Sequence, residues 1–302
     1  MEKSSVKKFQ TFFYGLFSGL DRQLGLILLG LAAIGFFTFL SSSQNTPVQI
    51  TDELRNLALS FAVMWIVSRI PPKWLEMGAV WIYGFGVALL IAVAAFGLIK
   101  KGARRWLNIG IVIQPSELMK IAMPLMLAWY FQKREGIQKT WDYGVAAIIL
   151  AIPVFLIARQ PDLGTALLVF AAGLYVIILA GLPWKWILPF VGIGVIGILL
   201  IIIFGSTICA HDVVWPFVHN YQKHRVCTLL DPTSDPLGKG FHTIQSMIAI
   251  GSGGFFGKGW FQGTQAHLEF IPEKHTDFVF AVFSEEFGLL GNLVLLALFF
   301  AL

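Results

Sequence analysis

The chain has 302 residues, of which 57% are hydrophobic and 13% charged, with a formal net charge of +5. A soluble domain carries roughly 25% charged residues, and half that share cannot cover a water-facing surface of this size. With a mean hydropathy of +0.75, this excludes a soluble globular enzyme, a disordered chain and a collagen or disulfide scaffold. What is left is an all-α polytopic membrane protein.

Residues 1–23 are polar to amphipathic and carry Lys3, Lys7, Lys8 and Arg22. No small-residue cleavage site follows a short apolar core, so this start does not read as a cleaved signal peptide. Apolar stretches able to cross a bilayer then recur at residues 24–40, 54–70, 77–98, 118–131, 143–158, 163–182, 186–205 and 287–302. The fourth is short, contains Lys120, and is expected to begin near Pro115. The eighth runs into the end of the chain, which predicts a fragment lacking further C-terminal helices.

Orientation follows from Lys and Arg in the short loops. With the N-terminus cytoplasmic, the inner side holds Lys3, Lys7, Lys8, Arg22, Arg69, Lys73, Lys133, Arg134, Lys139 and Lys185. The outer short loops hold only Lys100, Lys101, Arg104, Arg105 and Arg159, so the N-terminus is expected inside. No nucleic-acid partner follows from the small positive excess. The outer cluster from Lys100 to Arg105 runs against the rule. Either it is a statistical exception, or it binds an anion such as a phosphate-bearing lipid head group, which suits the planar fork of arginine.

Residues 206–286, between the seventh and eighth crossings, are too long for a simple turn and read as a functional outer element. It contains a turn cluster, Asp231-Pro232-Thr233-Ser234-Asp235-Pro236-Leu237-Gly238, and residues 242–250 could form a short amphipathic helix. The run Gly251-Ser252-Gly253-Gly254-Phe255-Phe256-Gly257-Lys258-Gly259 suggests a phosphate loop but fails on spacing. Ser252 stands where the first glycine is needed, and Gly259 where Ser or Thr is needed. Its amides could line an anion or sugar site, or its glycines could serve only tight turns and close packing. Cys209 and Cys227 form no CxxC and no metal site alone; on an oxidising side they could form a disulfide, or stay as buried thiols.

Ionisable residues at membrane depth are costly, so each is a functional candidate. Glu117 and Lys120 share a helical face and can pair. Asp162 starts the sixth helix, where it reads as an N-cap, with or without a second role. Arg55 lies at the outer end of the second helix and could simply reach the interface. Asp277, in Glu273-Lys274-His275-Thr276-Asp277-Phe278, leads into the eighth helix as a candidate acid or an N-cap, and His275 as a packed histidine or a base. Glu285 and Glu286 could just end an amphipathic segment. On physics alone, outward acids near a basic loop suit chemistry on a phosphate-bearing lipid, or transport of an anion.

Several stretches together resemble motifs of the shape, elongation, division and sporulation (SEDS) family. They are Gly102-Ala103-Arg104-Arg105-Trp106, Gln114-Pro115-Ser116-Glu117, Gln160-Pro161-Asp162-Leu163-Gly164-Thr165, Asp235-Pro236-Leu237-Gly238, Gln245-Ser246 and Pro272-Glu273-Lys274-His275-Thr276-Asp277-Phe278. Gly257-Lys258-Gly259-Trp260, followed by Gly263-Thr264-Gln265, resembles the rod-elongation branch rather than the cell-division branch. The resemblance implies a ten-crossing peptidoglycan glycosyltransferase of the bacterial inner membrane, of which this chain would hold about eight crossings. It implies lipid II as substrate and a class B penicillin-binding protein as partner.

The resemblance also implies that the essential acid of the outer loop is Asp277. As general base it would take a proton from a sugar hydroxyl attacking the anomeric carbon of the other substrate, giving a β-1,4 glycan. Arg104, Arg105 and Lys120 would meet the charge of the leaving pyrophosphate. Glu117 and Asp162 would support Lys120 or, with Asp277, hold a divalent cation, Mg or Mn. Arg55, Gln245 and His275 complete the expected substrate-binding set. The competing classes are a lipid II flippase, a cell-division polymerase and a non-catalytic scaffold. A transporter is expected to place its key charges near mid-membrane.

Overall fold

The computed structural model describes residues 21–43, 46–100, 103–108, 110, 112–136, 139–210, 213, 215, 220–236, 238–267 and 276–302. The chain is mostly helical and divides into two units. One comprises Ile70–Ile196 and the other Met1–Arg69 with Gly197–Leu302.

The Ile70–Ile196 unit contains α3 (Pro72–Phe96), α4 (Pro115–Lys133), α5 (Thr140–Arg159) and α6 (Leu163–Leu179). Its core is a continuous apolar cluster that includes Leu90, Met119, Met123, Leu127, Leu150, Ile157 and Val169. Proline shapes this packing. Pro153 inside α5 has no N–H to give the carbonyl of Ile149 one turn earlier. The Tyr83 hydroxyl, from α3, donates to that carbonyl at 2.8 Å instead. In a water-free setting such a freed carbonyl needs another donor, and a neighbouring helix supplies it.

Residues 98–113 are not a plain loop. Strands β1 (Leu98–Lys100), β2 (Ala103–Asn108) and β3 (Val112–Ile113) form an antiparallel meander in the order β1-β2-β3. The all-α expectation is corrected to this extent. The strands are too short to show a period of two among the basic residues and glycines of this stretch.

The other unit contains α1 (Arg22–Ser42) and α2 (Pro47–Val67), then the single turn α8 (Gly205–Ile208), α9 (Asn220–Leu230), α10 (Lys239–Ser252), the single turn α11 (Thr264–His267) and α12 (Val279–Ala301). Helix α7 (Trp184–Ile203) crosses the boundary between the units. The Asp21 carboxylate caps α1, accepting from the amides of Gln23 and Leu24 at 2.8 and 3.1 Å. Cys209 and Cys227 are disulfide-bonded, with a Cα–Cα distance of 5.6 Å.

Helix α12 is broken. Gly288 sits at φ 63°, ψ −161°, a backbone region open essentially to glycine alone. The break frees the carbonyls of Glu285 and Glu286 and the amides of Leu289 and Leu290. All four are bonded by the glycine-rich segment. Lys258 N and Gly259 N donate to the Glu285 and Glu286 carbonyls at 2.9 Å each, and Leu289 N and Leu290 N donate to Gly254 and Phe255 at 2.9 and 3.0 Å. Gly257 permits the approach, because a Cβ there would collide with the Glu286 carbonyl.

Each of the eight expected apolar stretches overlaps a helix. Among the described residues, five helices are long and apolar enough to cross a membrane: α1, α3, α5, α7 and α12. Helix α6 is shorter, α2 carries Asp52, Glu53 and Arg55, and α4 carries Glu117, Lys120 and Lys133. The last helix begins at Val279 rather than at residue 287, because Ala281, Val282, Phe283, Ser284, Glu285 and Glu286 are buried helical residues.

Candidate functional site

In the Ile70–Ile196 unit, β2 separates the two arginines expected to act together, since successive side chains on a strand point to opposite faces. Arg104 is exposed and donates to the Ala94 carbonyl at 3.1 Å. Arg105 is half-buried and turned to the segment before α6. Its Nε donates to the Gln160 carbonyl at 3.2 Å, another guanidinium nitrogen donates to the Pro161 carbonyl, and a third lies 3.7 Å from Asp162.

Asp162 is 8% exposed. It is the N-cap of α6, accepting from Thr165 N at 3.4 Å, and it also accepts from Gln114 Nε2 at 3.1 Å. Gln160 is buried and donates to the Leu90 carbonyl at 3.2 Å, while its Oε1 has no hydrogen-bond partner among the described residues. The motif residues Arg105, Gln114, Gln160 and Asp162 thus form one polar knot at the sheet–helix junction. The guanidinium of Arg105 is occupied with the chain itself.

Glu117 and Lys120 pair on the first turns of α4 at 2.6 Å, Glu117 exposed and Lys120 half-buried. Arg55 pairs with Asp52 at 3.1 Å on the exposed face of α2. A divalent cation does not fit the residues in place at Asp162, whose carboxylate already serves Arg105, Gln114 and the α6 amide. Among the described residues, no three of His, Cys, Asp and Glu gather as a metal centre requires.

In the other unit, Asp277 lies in an exposed turn immediately before α12. It does not cap that helix: Phe278 holds the N-cap position, with no side-chain cap bond. The Asp277 carboxylate has no hydrogen-bond or ion-pair partner among the described residues. Phe278 packs with Ala249 and Ala281, which ties α10 to the start of α12. Gln245 is half-buried on α10, and His275 lies outside the described residues.

The sequence reading missed a cluster in this unit. Glu285 and Glu286 are 0% and 1% exposed. Oε1 of Glu285 accepts from Lys258 Nζ at 2.7 Å, Thr264 N at 2.8 Å, Thr264 Oγ1 at 3.0 Å and Gln265 N at 3.1 Å. The Ser41 hydroxyl donates to Glu286, joining α1 to α12. The signal was present: two adjacent acids within an apolar run, at a depth where charge is costly. The amides of Lys258 and Gly259 are taken by carbonyls of α12, so they do not line an anion site. Beside this cluster an apolar recess of about 560 Å³ opens, lined by Ile34, Phe37, Phe256, Trp260, Phe283 and Phe287 among others.

Comparison with known proteins accounts for these motifs. The FTSW_RODA_SPOVE family, described as cell cycle protein, matches residues 21–302. The peptidoglycan glycosyltransferase MrdB of Escherichia coli (strain K12) is 45% identical over 285 residues, covering 94% of this chain and 74% of that protein. A solved chain from work described as the structural coordination of polymerization and crosslinking by a peptidoglycan synthase complex matches with a TM-score of 0.70. Its identity is 34%, over 92% of this chain and 74% of that one. The rod shape determining protein RodA of Thermus thermophilus matches with a TM-score of 0.59 and 26% identity, over 92% and 71% of the two chains. With a match over nearly its whole length and its motif residues knotted together as described, this chain belongs to the FtsW/RodA/SpoVE family.

Proposed function

We propose that the chain polymerises lipid II into β-1,4-linked glycan during cell elongation, with undecaprenyl pyrophosphate as leaving group and Asp277 as general base. Its curated relative at 45% identity is named a peptidoglycan glycosyltransferase, and this chain is an enzyme of that kind. The observation that carries the assignment of the base is the Asp277 carboxylate: exposed, without a protein partner among the described residues, at the mouth of a membrane helix. A base must be open to the hydroxyl whose proton it takes.

Arg104, exposed on β2, and Lys120, half-buried on α4, are the cations offered to the pyrophosphate. Arg105 and Asp162 hold the junction, and Glu117 orients Lys120. The apolar recess suits a polyprenyl chain. The chain is a multi-pass membrane protein; an inner-membrane location with a cytoplasmic N-terminus and an outward Asp277 is part of this reading. The solved neighbour's description, which couples polymerisation with crosslinking, supports a class B penicillin-binding protein as partner.

The test is polymerisation of labelled lipid II by purified protein with its partner, comparing wild type with Asp277→Ala and Asp277→Asn. Both variants are expected to make no glycan. Glycan at the wild-type rate from either would remove Asp277 from the role. The buried Glu285 and Glu286 are the one feature on the side of a flippase. For Glu285 the feature is answered by protein donors on its carboxylate.

A further inference from the structure

Helix α12 opens without a side-chain cap: Phe278 holds the N-cap position and makes no cap bond. Its first turn is held by packing instead. The half-buried Phe278 ring meets Ala249 and Ala281. It also meets the imidazole of His242, from α10, with ring centroids 6.0 Å apart and planes 39° from parallel, within the range of paired rings. His242, Gln245, Ser246 and Ala249 recur at the spacing of one helical face, and all four are half-buried or buried. Further along, α10 and α12 approach again, because a Cβ on Gly253 would collide with the Ser284 carbonyl. Helix α10 thus braces the first two turns of α12, and His242 is the polar residue of that brace set against Phe278. The buried Nδ1 of His242 has no hydrogen-bond partner among the described residues, which leaves the flat ring as the part in use. Asp277 directly precedes Phe278 and has no side-chain partner among the described residues, so its direction follows from how Phe278 is seated. A catalytic group displaced by about 1 Å loses on the order of a hundredfold in rate.

We propose that His242 is a positioning residue for Asp277: its ring packs on Phe278, the residue that follows the base, and holds the uncapped start of α12 in the orientation the reaction needs. This rests on the reading of Asp277 given above. His242 acts through Phe278, and its nitrogens take no part in the chemistry.

The experiment uses the full chain with its partner and fluorescent lipid II, comparing wild type, His242→Ala, His242→Gln, His242→Phe, Phe278→Ala, the double variant His242→Ala/Phe278→Ala, and Asp277→Ala. Alanine removes the ring, glutamine keeps polarity without a ring, and phenylalanine keeps a ring without nitrogens. A drift smaller than 1 Å is expected to lower kcat about tenfold in His242→Ala and His242→Gln, with KM for lipid II unchanged. His242→Phe should restore kcat to within about twofold of wild type. The double variant should be no slower than Phe278→Ala alone, since one contact cannot be lost twice. Rates are taken per folded molecule, so that lost protein is not counted as lost catalysis. Wild-type kcat in His242→Ala would overturn the proposal. So would a His242→Phe protein as slow as His242→Ala, which would give the work to the nitrogens, or a raised KM at constant kcat, which would make His242 a substrate contact. Additive losses in the double variant would remove Phe278 as the link. If His242→Ala fails to fold, His242→Gln decides: folded with wild-type kcat it refutes the role, and folded with reduced kcat at constant KM it supports it. Wild-type glycan synthesis by Asp277→Ala would instead bring down the base assignment, and this inference with it.

Discussion

Replacing Gly288 with alanine tests the account of the broken helix. A side chain at φ 63°, ψ −161° costs about 1–3 kcal/mol in backbone strain alone. The new Cβ would also crowd Gly257 N and lie 2.8 Å from the Phe255 carbonyl oxygen and 2.9 Å from that of Gly254. These two carbonyls accept from Leu290 N and Leu289 N. Each buried backbone group forced off its partner costs about 1–3 kcal/mol. A total near 4 kcal/mol corresponds to a melting temperature lower by about 10 °C for a chain of this size. Thermal unfolding of the detergent-solubilised protein, followed by tryptophan fluorescence, measures it. Gly84→Ala is the control: that glycine is helical, with nothing within 4 Å of a built Cβ, and the change is expected to be neutral or to stabilise by up to about 1 kcal/mol. Gly254→Ala, at φ +56° in open space, should fall between them, near 1–2 kcal/mol. A Gly288→Ala protein that melts with the Gly84→Ala control would show that the break is not held by these contacts.

Tyr83→Phe should cost about 1–3 kcal/mol by leaving the Ile149 carbonyl without a donor. Adding Pro153→Ala should return much of that loss by restoring the helical N–H, and a double-mutant cycle with no coupling would contradict the pairing. Arg105→Ala should lower stability by about 1–3 kcal/mol, since it strips a partner from the buried Asp162. Arg104→Ala should leave melting unchanged and raise KM for lipid II; the reverse ranking would mean the two roles are exchanged. Mass spectrometry under non-reducing conditions should find Cys209 linked to Cys227, and Cys227→Ser should cost about 3 kcal/mol for a sequence separation of 18. Free, alkylatable thiols in the native protein would contradict the bond.

The helices were legible because bilayer thickness demands long apolar runs, and such runs need no partner to be recognised. Pairings within one helical turn, Glu117 with Lys120 for instance, were legible for the same local reason. The separation of Arg104 from Arg105 was not, because it depends on a strand too short to announce itself. Glu285 and Glu286 were visible as acids, but their partners were not. Lys258 is 27 residues from Glu285, and Ser41 is 245 residues from Glu286. The glycines at 257 and 288 signalled close backbone approach somewhere, without naming each other as the reason. Pro153 marked a freed carbonyl, while the tyrosine that answers it sits 66 residues from Ile149. An acid beside an apolar run, as at Asp277, could be singled out from sequence; a buried contact with a partner far along the chain could not.

The interruption at Gly288 bears on the order in which the protein is assembled. Neither half of α12 can satisfy its own backbone at the break, and hydrocarbon offers no substitute donor or acceptor. The segment that supplies the missing bonds, Gly254 to Gly259, is synthesised first and so is available as a template when the last helix arrives. Insertion of that helix is thus a joint event, and a ribosome-bound intermediate ending between Gly259 and Gly288 would carry an open docking edge waiting for its complement.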